Sequence, residues 1–117
     1  MDEQEAITFV IEQAIATPEG RLQLANAEEF LIGQLERKRF NTERAIEIYK
    51  FAIDRSVLAW VKDLTMGKSI ARKYLRSGLG TKLAVELTKK FKKGGGVHPP
   101  IEDQRPPRRF LRFLLGT

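Results

Sequence analysis

With 117 residues, of which 42% are apolar and 31% charged, the chain is long enough for one small domain with its own core. The absence of cysteine excludes disulfides, thiolate metal sites and cysteine nucleophiles, and no apolar run approaches the roughly 20 residues that span a bilayer. Residues 1–54 contain 6 basic and 11 acidic residues, whereas residues 55–117 contain 15 basic and 4 acidic residues. This asymmetry indicates a surface suited to a negatively charged partner, such as nucleic acid, an anionic membrane or an acidic protein. The chain opens with acidic residues, unlike the basic start of a signal peptide, so we predict a soluble, cytoplasmic protein.

The first predicted helix begins at Asp2, because aspartate is a favoured N-cap residue. Its apolar residues recur at the spacing of one helix face: Ile7, Val10, Ile11, Ala14 and Ile15. Thr17 and Pro18 predict a break and a new helix, because threonine caps well and proline is favoured at the first helical position.

Residues 18–39 have two interpretations. Asn26 and Glu29 have the spacing of a capping box, which would start a separate helix running to about Arg39. Otherwise a single helix covers the whole segment, although Gly33 weakens that prediction. In either case Phe30, Leu31 and Leu35 are expected to face the core.

A long helix is predicted for residues 42–64, after a break at Asn41. Its main apolar stripe consists of Ile46, Tyr49, Ile53, Val57, Trp60 and Leu64. A second stripe consists of Ala45, Ile48, Ala52 and Ala59, and the apolar surface is widened by Phe51, Leu58 and Val61. Because a helix that is apolar on most sides usually has neighbours packed around it, this helix is predicted to be the centre of the fold.

Residues 68–77 predict a short basic helix whose core side is formed by Ile70, Ala71, Tyr74 and Leu75. Gly78 stands where a left-handed residue commonly ends a helix. Thr81 is then a plausible cap for a last helix ending near residue 93, with one apolar face formed by Leu83, Leu87 and Phe91. Three glycines at positions 94–96 predict the end of that helix.

These elements predict an all-α fold, a bundle of four to six helices with a long central helix and an extended C-terminal tail. Residues 1–93 would form the helical domain. Residues 94–107 would form a linker rich in glycine and proline, and residues 108–117 a basic apolar tail.

The strongest functional signal is positive charge. Residues 55–93 hold 11 basic and 2 acidic residues, which is more one-sided than an ordinary solvated surface. Phosphates attract such a cluster, so the candidate nucleic-acid-binding residues are Lys68, Arg72, Lys73, Arg76, Lys82, Lys89 and Lys90. The alternative is a solvated surface, because lysines at the end of a helix also complement its dipole. Tyr74 could stack on a base, but its place on the apolar side favours packing.

A helix-turn-helix over residues 68–93 would have suitable helix lengths. However, Tyr74 stands where close packing of the two helices favours a small residue, and the second helix begins with few side chains that read bases. The sequence therefore favours phosphate contacts with little sequence specificity.

The tail alternates positive charge with large apolar groups. Its candidate docking residues are Arg108, Arg109, Phe110, Leu111, Arg112, Phe113 and Leu114. If the tail is helical, one side is lined by Phe110, Leu111, Leu114 and Leu115. Something should cover this segment: the domain itself, a second protomer, a partner protein or an anionic membrane. Self-docking or dimer exchange is favoured, because the tail is short for stable membrane binding.

Signals for catalysis are weak. His98 is the single histidine and lies in the linker, where it is a poor general base and forms no metal-ligand set. Gly67-Lys68-Ser69 resembles the end of a phosphate-binding P-loop, but Lys62 replaces the first glycine of that motif. No enzymatic activity, cofactor or metal is therefore expected.

Two functional hypotheses follow. The first is a small, non-enzymatic, dimeric protein that binds nucleic acid through its basic second half. The second is an adaptor or structural subunit whose tail docks on a partner protein or a second protomer. Neither requires integral membrane association.

Overall fold

The computed structural model describes residues 2–97, with side chains up to Gly94. This part of the chain forms five helices: α1 (Glu3–Ala16), α2 (Pro18–Glu36), α3 (Thr42–Val61), α4 (Gly67–Ser77) and α5 (Leu79–Val97). The predicted all-α class is confirmed, and no strand occurs between residues 2 and 97. Most of the predicted linker, with His98, and the whole predicted tail lie outside the described residues.

Three helix starts have side-chain caps; the sequence predicts those at Asp2 and Thr17, and gives Asn41 only as a break. Asp2 accepts a hydrogen bond from the Glu5 backbone N–H at 2.7 Å. Thr17 accepts from the Gly20 N–H, and Asn41 accepts from the Arg44 N–H, both at 3.0 Å. Each cap satisfies a backbone donor that the first turn of the helix leaves without an intrahelical partner.

The segment after Thr17 is one helix, so the capping box at Asn26 is wrong. Asn26 is exposed in the middle of α2. The buried positions Leu24, Ala27 and Leu31 continue through this region without a change of face. Packing of this stripe against the core therefore determines the structure, and the local capping signal does not.

Both ends of α5 differ from the prediction. The helix begins at Leu79 because the Ser77 hydroxyl accepts the Leu79 backbone N–H at 3.1 Å, so Thr81 does not cap it. Gly78 between α4 and α5 has φ of 71°, the left-handed conformation that the sequence predicts. At its other end α5 passes through the glycines to Val97. A glycine weakens a helix interior by about 1 kcal/mol but does not forbid it.

The central position of α3 is confirmed, although the helix ends at Val61, before the predicted residue 64. It packs against all four other helices and buries Tyr49, Ile53 and Val57 completely. The core continues into the predicted stripe of α1 and into Leu87 and Phe91 of α5.

Phe30 and Leu75, both expected to face the core, are exposed, and so are Phe51 and Leu58 from the wider apolar surface of α3. One side of α3 remains open to solvent, and there the Phe51 ring is 61% exposed and lies 5.6 Å from the Arg55 guanidinium. An apolar pattern that surrounds a helix does not show which side lacks a neighbour.

Helices α3 and α5 run antiparallel. Phe40, just before α3, stacks on Phe91 near the end of α5, with ring centroids 5.5 Å apart. Farther along α3, Asp54 lies beside Gly80 at the start of α5. None of the helices within residues 2–97 has both the length and the apolar character that crossing a membrane requires.

Candidate nucleic-acid interface

All the charged residues that helix α4 presents to solvent are basic. It contains four basic residues and no acidic residue, and all four are exposed: Lys68, Arg72, Lys73 and Arg76. These four residues are called the α4 face below. Lys68, Arg72 and Arg76 are four residues apart, so they follow one another along the helix at intervals of about 6 Å.

The basic side chains of the α4 face have no acidic partners among the described residues. Two carboxylates of α3 pair within their own helix: Glu47 with Arg44 at 3.2 Å, and Asp54 with Lys50 at 2.6 Å. In the part of the chain that the structure describes, no carboxylate therefore neutralises the α4 face. Its charge remains available to a ligand.

Tyr74 fixes the opposite side of α4 to the bundle. Its side chain is only 2% exposed, and its hydroxyl donates a hydrogen bond to the Asp54 carboxylate. Burial raises the pKa of Tyr74 far above its ordinary value, and the negative charge of Asp54 acts in the same direction. Tyr74 is thus a packing residue and cannot stack on a base, in agreement with the interpretation favoured by the sequence.

The three candidate lysines of α5 are exposed but lie in two places. Lys82 is one turn from the junction with α4. Lys89 and Lys90 follow about 10–12 Å farther along the helix axis. The seven predicted binding residues therefore form a group at α4 and the start of α5, and a second group towards the end of α5.

The second group includes basic residues that the sequence analysis missed. Arg37, Lys38 and Arg39 form the loop after α2, and Phe40 follows them. The stacking of Phe40 on Phe91 brings this loop beside the last lysines of α5. The exposed basic residues at this end, called the loop–α5 patch, are Arg37, Lys38, Arg39, Lys89, Lys90, Lys92 and Lys93.

Lys38 has an unusual backbone conformation, with φ of 57°. Two hydrogen bonds close the end of α2: the Arg39 N–H donates to the Gln34 carbonyl at 2.8 Å, and the Lys38 N–H donates to the Leu35 carbonyl at 3.1 Å. In a helix end of this kind, the position that Lys38 occupies is usually glycine. A lysine in this left-handed conformation is less stable than glycine by about 1 kcal/mol. The position therefore places positive charge in the loop at some expense in stability.

The junction of α4 and α5 does not have the geometry of a helix-turn-helix. A single residue, Gly78, separates the two helices, whereas that motif uses a turn of about three or four residues. The first turns of α5 also border a groove beside α1, which Lys82 and Glu86 line together with Thr8 and Glu12.

Among residues 2–97, no three side chains of the metal-binding types come together in a way that could hold a metal ion. Comparison with protein-family models, curated proteins and solved structures finds no match to this chain.

Proposed function

We propose that this chain is a non-enzymatic protein that binds nucleic acid by contacting its phosphates. The observation that supports the proposal is the α4 face: four exposed basic side chains on a helix without acidic residues, none of them paired with a described carboxylate. Ordinary solvated surfaces mix both signs of charge.

The dimensions of the α4 face suit a phosphate backbone. Lys68 and Arg76 are about 12 Å apart along the helix axis. One strand of a duplex presents a phosphate every 3.4 Å or so along its axis, so this row faces about three phosphates. Each phosphate that is neutralised releases condensed counterions, which makes binding favourable and strongly dependent on salt.

The distribution of charge would also orient the protein on its ligand. Helix α1 contains three glutamates and no basic residue, in contrast to the four basic residues of α4. A polyanion therefore attracts the α4 side and repels α1, which favours encounters in the productive orientation. The loop–α5 patch offers a second contact region for a longer nucleic acid.

Phosphate contacts position a protein but do not read sequence. The α4 face carries arginine and lysine, and Gln, Asn and acidic residues that would read other bases are missing from that helix. We therefore propose binding of low sequence specificity. That the protein is a homodimer stays a prediction, as does the adaptor role based on residues 108–117.

The test is fluorescence anisotropy with labelled duplex DNA and single-stranded RNA over a range of salt concentrations, using an Arg72→Glu, Arg76→Glu variant. If both arginines contact phosphates, the plot of log affinity against log salt becomes shallower by about 1.8 for the duplex and about 1.4 for the single strand, and affinity at low salt falls about tenfold or more. Circular dichroism should show an unchanged helix content, because both side chains are exposed.

The matched control is Arg21→Glu, Arg55→Glu, which reverses two exposed arginines outside both basic surfaces. Because each change lowers the net charge by two, both variants take the formal charge from +6 to +2. Equal loss in the two variants would show a general charge effect without a defined surface. No binding by the unmodified protein at low salt would refute the proposal and favour the adaptor role.

A further inference from the structure

An open groove of about 330 Å³ lies between α1 and the first half of α5. Its lining residues are Thr8, Ile11, Glu12 and Ile15 from α1, and Leu79, Lys82, Leu83 and Glu86 from α5. Ile11 and Ile15 form the floor, and the half-buried Leu79 and Leu83 form an apolar wall. The groove can therefore accept large apolar side chains.

The edges of the groove are mainly acidic. Glu12 lies on the α1 edge and Glu86 on the α5 edge, with Lys82 as the one cation among the lining residues. Glu5 is seven residues before Glu12 and therefore lies on the same side of α1, about 10 Å away. Helix α1 has no basic residue that would offset these carboxylates. An occupant that combines apolar groups with positive charge fits both the floor and the edges.

A second cleft, at the junction of α3 and α4, has the opposite character. Leu58, Val61 and Met66 give it apolar walls, but Lys62 and Lys68 border it. This cleft would repel a basic ligand, whereas the acidic edges of the α1–α5 groove would attract one.

We propose that the α1–α5 groove holds the C-terminal segment of the same chain, residues 108–115. This segment has three arginines and five large apolar residues, which matches apolar walls with acidic edges. Left exposed, an apolar run of this kind would favour aggregation. The inference does not depend on nucleic-acid binding by the α4 face, although the candidate binding residue Lys82 also lines the groove.

The length of the chain allows this arrangement. Val97 ends α5, and the groove begins at Glu86, about 16 Å back along the helix axis. Residues 98–107 can span about 31 Å in an extended, proline-rich conformation. The segment can thus return to its own domain, and a linker of this length gives a local concentration in the millimolar range.

The test is disulfide trapping in the full chain, which has no native cysteine. Two cysteine pairs are made, and each has one cysteine in place of Thr8 at the exposed edge of the groove. The second cysteine replaces Leu111 in one pair and Gly116, which lies beyond the apolar run, in the other. The control pairs the same tail cysteines with Asn26→Cys, an exposed site on α2. Peptide mapping and non-reducing gels at micromolar protein distinguish disulfides within one chain from those between chains.

If the segment occupies the groove, the Thr8→Cys pairs form a disulfide within one chain about ten or more times faster than the Asn26→Cys pairs. Adding Glu12→Lys and Glu86→Lys, which reverse the charge of both edges, should remove this advantage. Equal rates at Thr8 and Asn26, no disulfide at Thr8, or rates unchanged by charge reversal would overturn the proposal. A disulfide-linked dimer would also overturn it and would assign the groove to the tail of a second copy.

Discussion

Replacing Gly80 with alanine should destabilise the protein, although alanine normally favours a helix. A Cβ atom on Gly80 would overlap the Tyr74 hydroxyl and stand 3.1 Å from Asp54 Oδ1. The methyl group therefore disrupts the hydrogen bond from Tyr74 to Asp54, and a hydrogen bond to a charged group contributes about 1.5–3 kcal/mol. Alanine regains at most about 1 kcal/mol of helix propensity. We expect the free energy of unfolding to fall by about 1 kcal/mol.

The same change should destabilise much less in a Tyr74→Phe background. That variant alone loses the hydrogen bond, about 2 kcal/mol, and removes the hydroxyl that overlaps the new Cβ atom. Adding Gly80→Ala then leaves only the tight 3.1 Å contacts of the Cβ atom with the ring carbon Cζ and with Asp54 Oδ1. The free energy of unfolding of the double variant should be about 1–2 kcal/mol higher than the sum of the two single effects predicts.

Urea unfolding followed by circular dichroism and by the fluorescence of Trp60, the single tryptophan, measures these free energies. Gly33→Ala is the control, because its Cβ would meet only the Arg37 guanidinium at an ordinary 3.9 Å. It should stabilise both backgrounds by about 0.5–1 kcal/mol. Equal destabilisation by Gly80→Ala with and without the Tyr74 hydroxyl would refute the explanation.

Three further outcomes are expected. Lys38→Gly should raise the free energy of unfolding by about 1 kcal/mol, since glycine adopts the left-handed conformation without strain; lower stability in thermal melts would contradict this. Asn26→Ala should stabilise the protein by a few tenths of a kcal/mol, whereas loss of a cap would destabilise it by about 1 kcal/mol, so the sign in urea titrations decides between them. Because the pKa of Tyr74 is raised in the folded protein, its contribution is complete below about pH 10 and is lost as pH rises further. Urea titrations between pH 9 and 11 should show a decline that Tyr74→Phe makes shallower, and an unchanged decline would contradict this role.

Much of the fold follows from local signals in the sequence. The caps at Asp2 and Thr17 and the left-handed Gly78 depend on hydrogen bonds and backbone preferences within a few residues, and all three are confirmed. Predictions failed where packing between distant helices decides the outcome. The continuous α2 across Asn26 is an example, because the burial of its stripe outweighs a local cap.

The candidate interface was predictable only in part. Helical spacing is enough to align Lys68, Arg72 and Arg76, and the structure confirms that this face is exposed. The loop–α5 patch does not show in the net charge of the first half, because the 11 acidic residues of residues 1–54 outweigh the three consecutive basic residues at 37–39. A run of three cations was a visible signal, but only the stacking of Phe40 on Phe91 shows which lysines it joins.

The contact of α3 with every other helix makes the bundle a single folding unit. Helix α2 reaches the rest of the molecule through α1 and α3, so residues 2–36 cannot close a core without α3. The same holds for α4 and α5: the buried Tyr74 donates to Asp54 of α3, and the buried Phe91 stacks on Phe40, two residues before α3. A break in the chain on either side of α3 would therefore separate complementary fragments that regain a helical core only by reassembling around it.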